Sequence, residues 1–218
     1  MFNEMLHSYK EPLSETIIKK LHYRLKAGVF EDLANGYLCG EYKNRINAVG
    51  NIVTAKPFEV AERMQELLSW YESQPKSLET FVEFHTKYEQ IHPFQDGNGR
   101  TGRMILFREC LSNGIIPTFV EKEADLEYKL AIGKAQTIGD YEDLIRIFKD
   151  AQASFYKSMR EYLYVHEINK NPESKLIETR EGLLTVAEIK KKALNGNPPE
   201  LIHERDQAVL RGRELEKE

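Results

Sequence analysis

The sequence predicts a mainly α fold, and three of its features carry that expectation. Apolar residues recur at intervals of three and four through most of the chain, the spacing that lines one face of a helix. Starts and stops punctuate those runs: Ser14 and the Thr185/Glu188 pair suit N-terminal caps, while Gly28, Asn113-Gly114 and Asn195-Gly196 suit helix ends. One stretch, Ile46 to Ala55, departs from the helical period, with β-branched residues on both sides of Gly50-Asn51.

The first helix follows Ser14, repeats Ile17, Leu21 and Leu25 every four positions, and stops at Gly28. In the segment INAVGNIVTA, Gly50-Asn51 suits a two-residue type II′ hairpin turn because Gly supplies the positive φ; an irregular loop is the other reading. A second helix fits from about Pro57, with Val60, Met64, Leu67, Leu68 and Tyr71 on one face and Trp70 read as core. A third runs from about Ser77 through Phe81, Val82, His85 and Tyr88 to Ile91. Met104, Ile105, Phe107 and Leu111 mark a fourth, and a fifth occupies roughly Lys122 to Gln136. A long sixth, from about Tyr141 to His166, offers Leu144, Ile147, Phe148, Ala151, Phe155, Met159 and Tyr162 to the core.

Composition changes near Asn169-Lys170-Asn171-Pro172, and from Glu173 to Glu218 there is no Phe, Tyr or Trp. The expected division is therefore a main domain over 1–168 and a linker with a charged helical tail over 169–218. That tail would hold a short helix after Thr185 and a second from Pro198-Pro199 to about Leu215.

Several function classes are disfavoured at the outset. The 218 residues are 41% hydrophobic and 30% charged, as in a soluble globular protein. A formal net charge of -4 gives no electrostatic reason to expect nucleic-acid binding. No apolar run approaches the ~20 residues that cross a bilayer, and the N-terminus lacks a secretory pattern, so no membrane partner and a cytoplasmic location are expected. Cys39 and Cys110 have neither disulfide-framework nor metal spacing. Gly133-Lys134 continues with Ala135, so there is no P-loop, and His203-Glu204 lacks the second His of a zinc-protease helix.

The chemistry concentrates between the third and fourth helices, in His92-Pro93-Phe94-Gln95-Asp96-Gly97-Asn98-Gly99-Arg100-Thr101-Gly102-Arg103. Gly97 and Gly99 permit tight turning where a helix begins, so backbone N–H groups converge without internal partners and suit an anion. Arg100 and Arg103 share a helical face and can grip phosphate oxygens in bidentate fashion. Asp96 can hold Mg²⁺ together with phosphate oxygens. His92 can act as general base. Singly, each residue has a plainer reading: a capping His, an Asp-Gly turn, a solvated pair of arginines, and Phe94 as an anchor in the core. Together, within one short segment, they favour chemistry on a phosphate ester.

This segment resembles the signature of the Fic family, H-x-F-x-[DE]-G-N-G-R-x-x-R, at every fixed position. The resemblance extends through the Leu13–Leu25 helix, Gly40-Glu41-Tyr42-Lys43, the 46–55 segment and Ile115-Ile116-Pro117, over roughly residues 10 to 165, and leaves the tail out. It implies a Fic-type helical bundle with a β-hairpin flap over 46–55 that pairs with an extended segment of a target. It implies protein AMPylation, in which AMP passes from ATP to a Ser, Thr or Tyr hydroxyl of a target protein and pyrophosphate leaves. Carried over by position, His92 would be the base and Asp96 the Mg²⁺ ligand. Backbone N–H groups of Gly97, Asn98 and Gly99 would hold phosphate oxygens, Arg100 the β-phosphate and Arg103 the γ-phosphate, with Tyr128 lining the nucleoside pocket. Removal of AMP, transfer of UMP or phosphocholine, and a scaffold acting through the charged tail are the alternatives.

The resemblance also implies regulation, by an antitoxin or an autoinhibitory segment of the form [ST]-x-x-x-E-[GN] whose Glu meets the second Arg. The match within the chain is Ser174 to Glu178, with Thr179 in place of Gly or Asn; Glu181-Gly182 has the Gly but Ile177 where the hydroxyl belongs. Glu178 is therefore the regulatory candidate, and an uninvolved charged helix the alternative.

Overall fold

A computed structural model describes residues 1–49, 52–120, 125–170, 173, 175–197 and 199–200. It is mainly helical, and its contacts divide the chain into two compact units, Met1–Tyr156 and Lys157–Glu218.

In the first unit, α1 (Phe2–Ser8) precedes α2 (Glu15–Lys26). Ser14 caps α2 by accepting from the Ile17 N–H, and Ile17, Ile18 and Leu21 are buried. A short α3 (Phe30–Ala34) leads to β1 (Ala48–Val49) and β2 (Ile52–Val53). These strands pair antiparallel, Ala48 with Val53 and Val49 with Ile52, so the 46–55 segment is a hairpin with a two-residue connection. The expected Gly50-Asn51 turn type lies outside the described residues.

A 3-10 turn at Pro57–Glu59 opens α4 (Val60–Ser73), which buries Val60, Met64, Leu67 and Tyr71. Two helices form the centre: α5 (Leu78–Ile91), capped by Ser77, and α6 (Asn98–Ser112). Phe81, Val82, Phe84 and Tyr88 of α5 and Ile105, Leu106 and Cys110 of α6 share one core with α2, α4 and the helices that follow, α7 (Asp125–Ile138) and α8 (Glu142–Lys170). Gly102 permits close packing of the central pair: a Cβ there would stand 2.7 Å from Glu89 Oε1 and 2.9 Å from the His85 ring. Arg108, fully buried, pairs with Glu109 and donates to the Ser8 and Glu11 carbonyls at 2.5 Å each, fastening the end of α1 to α6.

The long sixth helix departs from expectation along its length. Leu144, Ile147 and Phe148 of α8 are buried, yet Met159 and Tyr162 are exposed. The helical period continues beyond the part of α8 that the core covers, because period reports a face and not what packs against it.

The second unit adds a strand pair to the expected linker and charged helical tail. Strands β3 (Leu176–Thr179) and β4 (Gly182–Thr185) pair antiparallel ahead of α9 (Val186–Leu194). The Thr179 hydroxyl donates to the Gly182 carbonyl at 2.8 Å and accepts from the Glu181 N–H, closing a turn that Arg180-Glu181 does not advertise in sequence. The capping box at Thr185 and Glu188 forms, and α9 ends at Asn195. The second tail helix, from Pro198 to Leu215, falls on residues outside those described, apart from Pro199 and Glu200. No helix among the described residues is long and apolar enough to cross a membrane.

Candidate active site

The junction between α5 and α6 is built around Phe94. Its ring is fully buried and stacks on His22 of α2, with centroids 3.7 Å apart and planes 4° from parallel. Asn98 closes the turn from inside: its Oδ1 accepts from the Phe94 N–H at 2.8 Å and its Nδ2 donates to the Phe94 carbonyl at 2.7 Å. Gly97 caps α6 at φ 82°, and a Cβ there would press on Leu25 and Lys26. The Gly97 carbonyl accepts from Thr101 at 3.0 Å, so the N–H groups of Asn98, Gly99 and Arg100 begin the helix without intrahelical partners. A helix start of this kind suits an anion through backbone groups alone.

His92 follows the last residue of α5 in the left-handed conformation, φ 53° and ψ 62°, as the one non-glycine with positive φ among the described residues. Such a conformation costs of order 1–3 kcal/mol and persists only where the surroundings enforce it. Its Nδ1 donates to the Glu89 carbonyl at 3.3 Å, which leaves Nε2 as the proton acceptor. Burial pushes its pKa down to about 4, so the imidazole is neutral near pH 7. Glu89 Oε2 lies 3.6 Å from His92 Nδ1, and burial raises this carboxyl to about 7, opposed by Arg103.

Asp96 meets three side chains from two helices. Lys26 of α2, itself paired with Asp32 at 2.6 Å, donates to Asp96 Oδ2, and Arg100 Nη2 reaches the same oxygen at 3.3 Å. His22 accepts from the Gly40 N–H at Nδ1 and donates through Nε2 to the Asp96 carbonyl at 2.9 Å. The Asp96 carboxyl is held below the ordinary carboxylate range by Lys26, the Gly97 N–H and Arg100, which outweigh its partial burial. It remains half-exposed. The described residues contain no cluster of three or more His, Cys, Asp or Glu that could hold a metal. A single half-exposed carboxylate beside unpartnered helix-start N–H groups fits Mg²⁺, which keeps several waters and is bound by one or two carboxylates plus phosphate oxygens.

Arg103 lies beside Gly99, its Nη1 3.3 Å from where a Cβ would stand, and its guanidinium carbon is 5.7 Å from the Tyr128 ring centroid. The Tyr128 hydroxyl is 2.6 Å from His85 Nε2 within the core. The structure thus gathers His92, Asp96, Gly97, Asn98, Gly99, Arg100 and Arg103 at one junction, with Tyr128 beside Arg103. Glu178 is different. Leu176–Thr179 is a strand, so Glu178 does not lie one turn along a helix from Ser174 and the inhibitory-helix pattern is not realised there. Its side chain and Ser174 lie outside the described residues.

Sequence reading missed His22, Lys26, Asn47, Thr54 and Glu89. Glu89 and His92 carry a faint signal, three apart at a helix end. Lys43 was noted only within the Gly40–Lys43 resemblance. Its backbone N–H donates to the Pro93 carbonyl at 2.8 Å, and Asn47 Nδ2 donates to the Phe94 carbonyl at 2.9 Å, so the segment before the hairpin is fastened to the motif.

Comparison with known proteins agrees with this geometry. Residues 12–109 match the model of the Fic/DOC family. The chain is 30% identical over 115 residues to the protein adenylyltransferase Fic of Drosophila melanogaster, covering 51% of this chain and 23% of that protein. It is 28% identical over 114 residues to the protein adenylyltransferase fic-1 of Caenorhabditis elegans, covering 50% of this chain and 22% of that one. The match therefore spans less than a quarter of either relative. Among solved structures, a Fic domain-containing signalling protein from Bacteroides thetaiotaomicron superposes with a TM-score of 0.60 at 20% identity, over 72% of this chain and 66% of that one. BepC of Bartonella tribocorum, with bound AMPPNP, gives 0.53 at 15% identity, over 69% and 81%. Both likenesses show a shared fold. With the complete signature spanning His92 to Arg103 and both central helices in place around it, residues 12–109 match the Fic/DOC family and the fold is that of a Fic domain.

Proposed function

We propose that the chain transfers AMP from ATP to a hydroxyl side chain of a target protein. The observation that supports this best is the joint placement, at one helix junction, of a neutral imidazole, a ring of unpartnered backbone N–H groups and two arginines. The relatives named protein adenylyltransferase agree with it.

In this reading His92 accepts the proton of the target hydroxyl at Nε2, as Nδ1 is committed to the Glu89 carbonyl. The hydroxyl oxygen attacks the α-phosphorus in line, the bond to the bridging oxygen breaks, and pyrophosphate leaves. The N–H groups at the start of α6 receive the negative charge that builds on the phosphoryl oxygens. Arg100 and Arg103 orient the β- and γ-phosphates. Asp96 would hold Mg²⁺ brought in with the nucleotide, whose charge offsets that of the phosphates. The hairpin β1–β2 offers a free strand edge to an extended segment of the target.

ATP labelled at the α-phosphorus, compared with ATP labelled at the γ-phosphorus, tests the reading in a mixture with candidate protein acceptors. Label from the α position alone, with a mass gain equal to AMP, is expected. Transfer of the γ label would overturn the reading in favour of a kinase. Transfer from UTP or from a phosphocholine donor, or loss of AMP from an already modified protein, would overturn it in favour of those chemistries.

A further inference from the structure

The left-handed conformation of His92 needs a support, and the structure points to one side chain. Lys43 is almost fully buried, yet its ammonium group meets no carboxylate among the described residues. Its three N–H groups meet three neutral acceptors: Asn47 Oδ1 at 2.6 Å, Thr54 Oγ1 at 3.1 Å and the Ile91 carbonyl at 3.4 Å. An ammonium has three donors, so the set is complete. Burying a charge without a counter-charge is unfavourable, and packing alone would be served better by an apolar residue of the same length. The choice of lysine therefore reports a need for these three bonds.

Their placement shows what the need is. Ile91 precedes His92 and Pro93 follows it. The Lys43 side chain holds the carbonyl before the imidazole, and the Lys43 backbone N–H holds the carbonyl after it at 2.8 Å. The two remaining acceptors, Asn47 and Thr54, flank the paired strands on either side of the hairpin. One lysine thus brackets His92 and joins it to β1–β2.

We propose that Lys43 is a positioning residue for the base: it holds the backbone on both sides of His92 and ties that geometry to the hairpin. The proposal rests on the reading of His92 as the base. It follows that a target segment seated on the hairpin edge bears, through Asn47, Thr54 and Lys43, on the backbone that aims the imidazole. The other charged groups at His92 are Glu89 on its own helix and Asp96 in the motif loop.

Lys43→Met keeps the length and the backbone N–H and removes the three side-chain bonds. The turnover rate for AMP transfer should fall about 10²-fold, as misplacement of a reacting group does. ATP affinity by calorimetry should change by less than about threefold, because Lys43 touches neither arginine nor the start of α6. The His92 imidazole resonances should shift, and their titration midpoint should rise once the nearby positive charge is gone. Thr54→Val, which keeps the Lys43 charge and removes one acceptor, should give a smaller loss of rate and smaller resonance shifts without that rise in midpoint. His92 resonances unmoved in Lys43→Met, or ATP affinity lost in step with rate, would overturn the proposal. If Lys43→Met does not fold, unmoved His92 resonances in Thr54→Val would overturn it instead. The resonance measurements need no substrate, so a parent protein that transfers no nucleotide defeats the functional reading and leaves the link from Lys43 to His92 under test.

Discussion

The hairpin β1–β2 pairs two residues on each strand, and β3–β4 pairs four, each with a two-residue connection. A two-stranded ribbon is marginal in water even when long. The first therefore depends on what its base is tied to: Lys43 and Asn47 bond to Ile91, Pro93 and Phe94 beside the motif, and Thr54 bonds to Lys43 and Asn47. The second carries its own ladder, a turn laced by the Thr179 hydroxyl, and a capped helix directly after it. One hairpin is positioned by tertiary contacts to the backbone around the motif, the other by bonds between near neighbours. Changes round the first should reach activity, and changes in the second should stay local.

The largest effect belongs to His92→Ala. Losing a positioned base costs about 10²–10⁴ in rate, so transfer of α-labelled AMP should fall by that factor while ATP still binds. Transfer at the parental rate would remove the site from this side of the comparison. Phe94→Ala comes next. Truncating a fully buried aromatic costs about 3–5 kcal/mol, here with loss of the stack on His22, and urea denaturation should show it. Leu183→Ala in β4 is the control, for that side chain is 65% exposed and its change should lie within about 0.5 kcal/mol.

Asp96→Ala should lower transfer by roughly ten- to a hundredfold, equivalent to the about 1.5–3 kcal/mol of a charged contact. Raising Mg²⁺ should restore part of the loss; an equal deficit at every Mg²⁺ concentration would make Asp96 a partner of Lys26 and Arg100 only.

Acid sharpens the contrast further. His92 has its pKa pushed down to about 4 in the folded chain, against the usual 6.5 of an imidazole. Between those values the unfolded chain binds a proton there that the folded chain does not. The contribution of His92 to stability is thus present above about pH 6.5 and lost as pH falls towards 4. The fall in urea midpoint between about pH 7 and about pH 5 should be smaller in His92→Ala than in the parent. Equal falls would show that the imidazole is not held neutral.

A small and local effect is expected at Thr185→Ala, which breaks the box with Glu188. Loss of such a cap costs about 1 kcal/mol. Amide exchange should quicken in α9, and AMP transfer should not change.

Legibility followed sequence distance. His92, Asp96, Gly97, Asn98, Gly99, Arg100 and Arg103 lie in one segment, so their joint chemistry could be read before any fold was known. Lys26 and Asp96 are separated by 70 positions and Lys43 and Ile91 by 48, so only folding could reveal those pairs. Glu89 was hidden differently: it lies on the same helix as His85 and Tyr88, and helical period alone does not separate a buried carboxylate from a solvated one. Period likewise could not tell that α8 would carry Met159 and Tyr162 past its core.

By itself, the sequence determined the longer helices of the main unit and the chemical groups of the motif, and at 46–55 it left a hairpin and a loop both open. Each is a local matter of spacing, capping or turn residues, and local terms act between near neighbours whatever the rest of the chain does. Tertiary structure alone decided that Lys43 would bracket His92 and that Lys26 would meet Asp96. Those outcomes depend on burial and on hydrogen bonds between distant segments, and such bonds exist only once packing has excluded water from both partners.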